Sequence, residues 1–266
     1  MTKDEIKQEE NIEQATALEE KTVKKAAKAT EKKEDANDLL VSTELYLKAG
    51  VHIGTKNVFK DMRKYVFKQR EDNLKVLDLK TIDDRIRLIA DFISGFEPKS
   101  IVVVGRKLYA AKPLKKFAEV TGAKAIEKRF VPGTFTNSSS QTFVEPKVVI
   151  ISDPESDGQA IKEATMLKIP VIALVSTNNT LKDIDIAMPI NNKGRKSLAL
   201  FYWILAREFV KKKKIDSEFK FDEKSMEDFE FKMKDQGEWV PRERDENRDR
   251  DRDRDRRGPR RERERY

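Results

Sequence analysis

Three short runs of this chain are apolar at every position: Ile101–Val104, Val148–Ile151 and Val171–Val175. A strand of that kind offers no face to water, so it must be covered on both sides, the condition of a central strand in a parallel sheet. Helical spacing fills the intervals. Ile82, Ile86, Ile89, Ile93 and Phe96 step by four and three residues, which predicts an amphipathic helix with Thr81 as its N-cap and Ser94, Gly95 and Pro98 at its close. Residues 108–120 repeat the pattern, although Pro113 should kink that helix or restart it. A helix is expected over 158–168, and Leu198, Tyr202, Leu205 and Phe209 mark one face of another. Strand alternating with helix predicts one α/β domain with a parallel sheet covered on both sides.

Weaker signals complete the outline. Leu45, Leu47 and Ala49 before Gly50 read as a short helix with a glycine stop. Residues 65–67 and 74–79 read as two strands around a polar turn, 125–130 as a weak strand, and 184–190 as a short strand near a sheet edge. Residues 1–38 hold few apolar anchors and should form a disordered charged arm. Residues 39–214 form the domain, and 215–266 a charged extension, largely disordered, that ends in an alternating Arg-Asp tract.

The formal net charge is +8. Residues 1–38 carry 8 Lys against 11 carboxylates, and residues 241–266 carry 12 Arg against 9. The tails cancel, so the whole excess sits on 39–240, which points to a polyanionic partner, nucleic acid first. The chain has no cysteine and one histidine, His52; this removes disulfides, zinc knuckles, thiol catalysis and paired-histidine metal sites. No apolar run reaches the roughly 18–20 residues that span a bilayer. The opening residues lack the apolar core of a secretory signal, so a cytoplasmic protein is expected.

Candidate binding residues gather in loops. Lys56, Lys60, Arg63, Lys64, Lys68 and Arg70 are interleaved with Phe59, Tyr65 and Phe67, a mixture suited to phosphate contact. Arg106 and Lys107 follow the glycine that ends a strand, but neither a G-x-G-x-x-G nor a G-K-[ST] signature is present. The loop opening at Arg129 offers Thr134, Thr136 and Asn137: a cation, hydroxyls and an amide without His, Cys or paired carboxylates. Asn192, Lys193, Arg195 and Lys196 stand at the start of the last helix, where free N–H groups favour anions. Cations there oppose the helix dipole, so fold stability gives no reason for them. Asp153, Glu155 and Asp157 could suggest magnesium or a general base; capping of the next helix by Asp153 or Asp157 is the favoured reading. His52 reads as a packed residue. No catalytic or metal-binding residue, and no cofactor, is assigned.

Several long motifs in order carry a resemblance: YLKAGVHIGT at 46–55, RFVPGTFTN at 129–137, EPKVVIISDP at 145–154, IPVIALVSTNN at 169–179 and NNKGRKSLALFYWILARE at 191–208. Residues 39–214 resemble the archaeal and eukaryotic branch of the small-subunit ribosomal protein two family, whose eukaryotic members are also called laminin-receptor-like. The resemblance implies a doubly wound, flavodoxin-like sheet of about five parallel strands with helices on both faces. It also implies a structural constituent of the small ribosomal subunit that binds rRNA and neighbouring ribosomal proteins, with no membrane and no small-molecule substrate. The competing reading, an enzyme for a phosphorylated small molecule framed by Asp153 and residues 177–179, lacks a phosphate loop and a base. A surface receptor lacks any membrane segment.

Overall fold

A computed structural model describes residues 39–214, 219–222 and 225–232. The expected arm 1–38 and the Arg-Asp tract lie outside the described residues. Helix α1 (Thr43–Ala49) ends at Gly50, and a 3-10 turn (Lys60–Tyr65) leads into the antiparallel pair β1 (Val66–Gln69) and β2 (Lys75–Leu77). Then come α2 (Leu79–Ser94), β3 (Ile101–Val104), α3 (Leu108–Thr121), β4 (Lys124–Ile126), β5 (Val148–Ile151), α4 (Gly158–Met166), β6 (Val171–Val175), β7 (Ile186–Pro189), α5 (Arg195–Lys213) and α6 (Met226–Phe229). The main sheet is parallel throughout, in the order β4-β3-β5-β6-β7. This is the flavodoxin-like winding, in which the chain leaves β3 and β5 in opposite directions. Right-handed crossovers then put α3 and α4 on opposite faces.

The three all-apolar runs are the three central strands, buried at every residue. Helix α2 buries Ile82, Ile86, Ile89 and Ile93 as their spacing requires. Its cap differs from expectation. The Asp78 carboxylate, not Thr81, is the N-cap, accepting from both the N–H and the hydroxyl of Thr81. The strand-like run 74–79 hides this start by extending one strand across it. Pro113 does not restart the helix, since α3 runs through it as one element. Strand β4 stops at Ile126, because the residues beyond turn away into the long loop.

Helix α5 departs most from the one-faced expectation. Of its 19 residues 13 are buried, on every side. It packs against α1, α2, α3 and α6. Part of this cover comes from residues after the helix: Phe229 and Phe231 are buried, Phe221 stacks edge-on with Trp203, and Trp203 donates from Nε1 to Ser225 Oγ at 2.9 Å. The phenylalanines among the acids are thus the outer layer of the core. Phe229→Ala should destabilise the domain by about 3–5 kcal/mol, the range for emptying a buried aromatic site. Urea denaturation measures it; a loss under 1 kcal/mol would show that this segment does not cover α5.

Candidate nucleic-acid interface

In a doubly wound sheet the loops that leave the carboxyl ends of the strands meet at one edge. Arg106 follows β3, Arg129 follows β4, Asp153 follows β5, Thr177 follows β6, and Asn192 to Lys196 follow β7. The sheet order therefore gathers loops far apart in sequence along a single rim.

The first cationic stretch is brought to that rim by the segment between α1 and the 3-10 turn. Asn191 holds one end, accepting nothing from it but donating from its side chain to the Gly50 carbonyl at 3.1 Å and from its backbone to Val51. At the other end the N–H of Thr55 donates to Thr177 Oγ1 at 2.8 Å, and the N–H of Phe59 to the Thr177 carbonyl at 3.0 Å. Gly54 lies so close that an added Cβ would stand 2.7 Å from Thr177 Cγ2 and 3.0 Å from the Lys75 carbonyl. Only glycine lets this segment lie flat between β2 and the loop after β6. Beside it opens a trough of about 750 Å³ lined by Lys56, Arg63, Lys68 and Lys75 with Asn57 and Gln69. None of its lining residues is acidic. The trough thus unites three of the expected contact residues, and adds Lys75, which sequence spacing alone could not connect to them.

Lys60 and Lys64 are exposed beside it, Lys64 resting over the Tyr65 ring, and Arg70 is exposed with Asp72 3.8 Å away. Lys193, Arg195 and Lys196 are exposed at the start of α5, where Gly194 supplies no capping side chain. Arg106, Arg129, Thr136 and Asn137 are exposed as well. The remaining three are committed inside. Thr134 is buried and donates to the Val131 carbonyl. Lys107 pairs with the buried Asp153 at 2.6 Å. Asn192 is fully buried, donating to Asp153, to Asn179 and to the Leu174 carbonyl, each at 3.1 Å.

Two of these contacts, those of Lys107 and Asn192, account for Asp153 in the acidic cluster. Asp153 takes Lys107, Asn192 and Ser156. Asp157 stands at the N-cap of α4 but makes no capping bond; it accepts instead from the Arg106 N–H at 3.2 Å. Gly105 is explained by the same crowding, since a Cβ there would sit 2.8 Å from Ser152 Oγ. The crevice between β3 and β5, where this fold elsewhere takes ligands, is filled by the chain's own ion pair and amide. Burial pushes the Asp157 carboxyl up to about 6, helped by Asp153 and opposed by the Arg106 N–H, and one of its oxygens has no partner. His52 is half-buried, and burial lowers its imidazole below the usual range.

The loop after β4 has its own anchor, one that sequence patterning missed. Glu163 on α4 is buried and accepts from the N–H groups of Gly133 (2.8 Å) and Phe135 (3.1 Å), from Gln159, and from the Thr136 hydroxyl. Burial alone would raise this carboxyl, but those donors outweigh it and hold it below the usual glutamate range. Phe130 and Phe135 meet edge-on at 4.8 Å beneath the loop. Glu163 reads in sequence as an ordinary helix-surface acid; only its position opposite a loop of free N–H groups gives it a task.

The sequence is similar to that of known proteins. Residues 46–144 and 140–211 match the family described as Ribosomal protein S2. The chain is 48% identical over 178 residues to small ribosomal subunit protein uS2 of Saccharolobus solfataricus, covering 67% of this chain and 77% of the relative. It is 44% identical over 189 residues to uS2 of Methanococcus maripaludis, covering 70% and 86% respectively.

Two carboxylates give opposite pH signatures. Glu163→Ala should cost about 2–4 kcal/mol at neutral pH by stranding two N–H groups. Because its folded value is lowered, the Glu163 contribution is complete above the usual glutamate range and disappears as pH falls through the lowered value. Asp157 is raised, so its ionisation costs stability as pH climbs from the ordinary value of 3.8 to about 6. Asp157→Asn should therefore stabilise by on the order of 2–3 kcal/mol at pH 7.5 and by little at pH 4. Equal effects at both pH values in urea denaturation would refute the assignment.

Proposed function

Because the chain belongs to the ribosomal protein S2 family, we propose that it is a structural constituent of the small ribosomal subunit, holding small-subunit rRNA by its phosphates along the carboxyl rim of its sheet. The observation that carries this reading is the acid-free trough of Lys56, Arg63, Lys68 and Lys75, pinned by Gly54 and Thr177. Cations in a concave, fixed arrangement neutralise a backbone without reading sequence, which is what positioning on a folded RNA requires. Lys60, Lys64, Arg70 and Arg106 extend the charge. Arg129, Thr136 and Asn137 offer a second contact on the loop fastened by Glu163. Lys193, Arg195 and Lys196 offer a third, where a bound phosphate would relieve the conflict between cations and the α5 dipole. Lys107, Thr134 and Asn192 take an architectural part in this reading, keeping the rim rigid.

Neighbouring ribosomal proteins are the second class of partner. An apolar groove lined by Leu39, Leu47, Phe67 and Val76 supports such a contact, since Leu47 and Phe67 are exposed there. In this reading the protein works in the cytoplasm as part of the ribosome and performs no turnover, and among the described residues the buried carboxylates Asp153 and Glu163 serve as cross-links.

The protein should co-sediment with small subunits in a sucrose gradient of native extract at physiological salt; finding it only at the top would overturn the reading. Replacing Lys56, Arg63 and Lys68 together by Ala should leave melting unchanged and flatten the salt dependence of rRNA-fragment binding, by up to about 0.9 in slope per lost duplex phosphate contact. The triple variant of Lys193, Arg195 and Lys196 should do likewise and stabilise the free protein by a few tenths to about 1 kcal/mol.

A further inference from the structure

We propose that the pocket beside Phe59 receives a single unstacked nucleobase of the RNA whose phosphates occupy the adjacent basic trough. The inference rests on the rRNA reading above and adds to it a specific kind of contact: the base itself.

The pinned segment separates two cavities of different character. On one side Lys56, Asn57 and Val58 line the trough; on the other Phe59 lines a pocket of about 380 Å³ over the loop after β6 and the start of α4. Phe59 is 46% exposed, although its own N–H is bonded to the Thr177 carbonyl and the segment is fixed. A ring held open to solvent on rigid backbone is a stacking platform with its ordering cost already met. Asn178 also lines the pocket, and its side-chain oxygen is buried and accepts no hydrogen bond. A buried acceptor left unpaired is costly, and an N–H on the edge of a base would satisfy it.

Charge separates the two cavities further. Lys162 and Lys182 line the pocket, but so do Glu155 and Asp183. A phosphate gains little in such a mixed site and much in the acid-free trough. A neutral base with donors on its edge is the component of a nucleotide that fits the pocket, while Lys162 and Lys182 remain available to its flanking phosphates. The volume lies at the lower end of small-ligand sites, about 300–1,000 Å³, suited to one base and not to a folded element. Residues 56–58 line the trough and Phe59, the next residue, lines the pocket, so one RNA strand can run from one to the other. Sequence-specific RNA recognition works in this way, by splaying bases from loops and bulges onto aromatic side chains.

The test uses the full chain with end-labelled hexa-adenylate and with a small-subunit rRNA fragment, each titrated across a salt series. Phe59→Ala should weaken hexa-adenylate binding about tenfold, in the range of one base–aromatic stack. The salt slope and the melting temperature should stay unchanged, because the ring carries no charge and is half-exposed. Phe59→Trp should bind as tightly as the native chain or tighter, and Asn178→Leu should weaken binding with no change in slope. The trough variant gives the contrasting result, a shallower slope. Native-like binding by both Phe59→Ala and Asn178→Leu, with the trough variant still impaired, would overturn the base pocket and leave the rRNA reading intact. Binding of the rRNA fragment without any binding of hexa-adenylate would also overturn it. Failure of the native chain to bind either RNA would bring down the rRNA reading and the pocket together.

Discussion

A helix that is apolar on every side cannot lie on a surface, and α5 is such a helix. The domain is built around that requirement. Helices α1, α2 and α3 and the returning aromatic segment with α6 enclose α5, while its Tyr202 reaches Ser152 at the end of β5 with a 2.8 Å hydrogen bond. One face of the sheet is therefore deep, and the other is thin. On the thin face α4 is short, and the connection between β4 and β5 contains no helix. A loop there cannot satisfy its backbone through a helical ladder, so another group must accept its N–H groups. Glu163 does so. The deep face gives the domain its stability, and the thin face leaves loops open for contact.

Much of this was legible in the chain. An all-apolar strand has one environment only, so 101–104, 148–151 and 171–175 could be assigned as central without further information. Period-four isoleucines were equally decisive for α2. What local pattern could not show was the partner of each polar group. Asp78 and Thr81 lie three residues apart, and either could cap; the choice depends on where the preceding strand stops. Glu163, Asp153 and Asn192 reach partners as far as 46 residues away, and nothing in their immediate sequence distinguishes them from surface residues. The alternating pattern for α5 marked one face, since periodicity detects contrast and a helix buried all round has little. Similarly, the cations of residues 56–70 could be read as a charged stretch, but their concavity required Thr177, more than a hundred residues away, as the wall against which the segment lies.

The same physics closes the crevice that a doubly wound sheet can leave open. In such a sheet the crevice between the first and third strands is open by topology, because the crossovers leave in opposite directions. Here Lys107 crosses it to Asp153, Asn192 closes it from the end of β7, and the Arg106 N–H ties its lip to Asp157. Filling the crevice removes a ligand site and gains rigidity at the point where four loops converge. Loops ordered in advance lose less entropy on binding, so a rigid rim suits the rRNA contact proposed for it. The cations that remain exposed then stand outside that closed core. Their mutual repulsion, and that of Lys193, Arg195 and Lys196 with the α5 dipole, is tolerated because the buried face holds the helix in place. The free domain carries an unfavourable field at its rim, one that a polyanion laid along it would relieve.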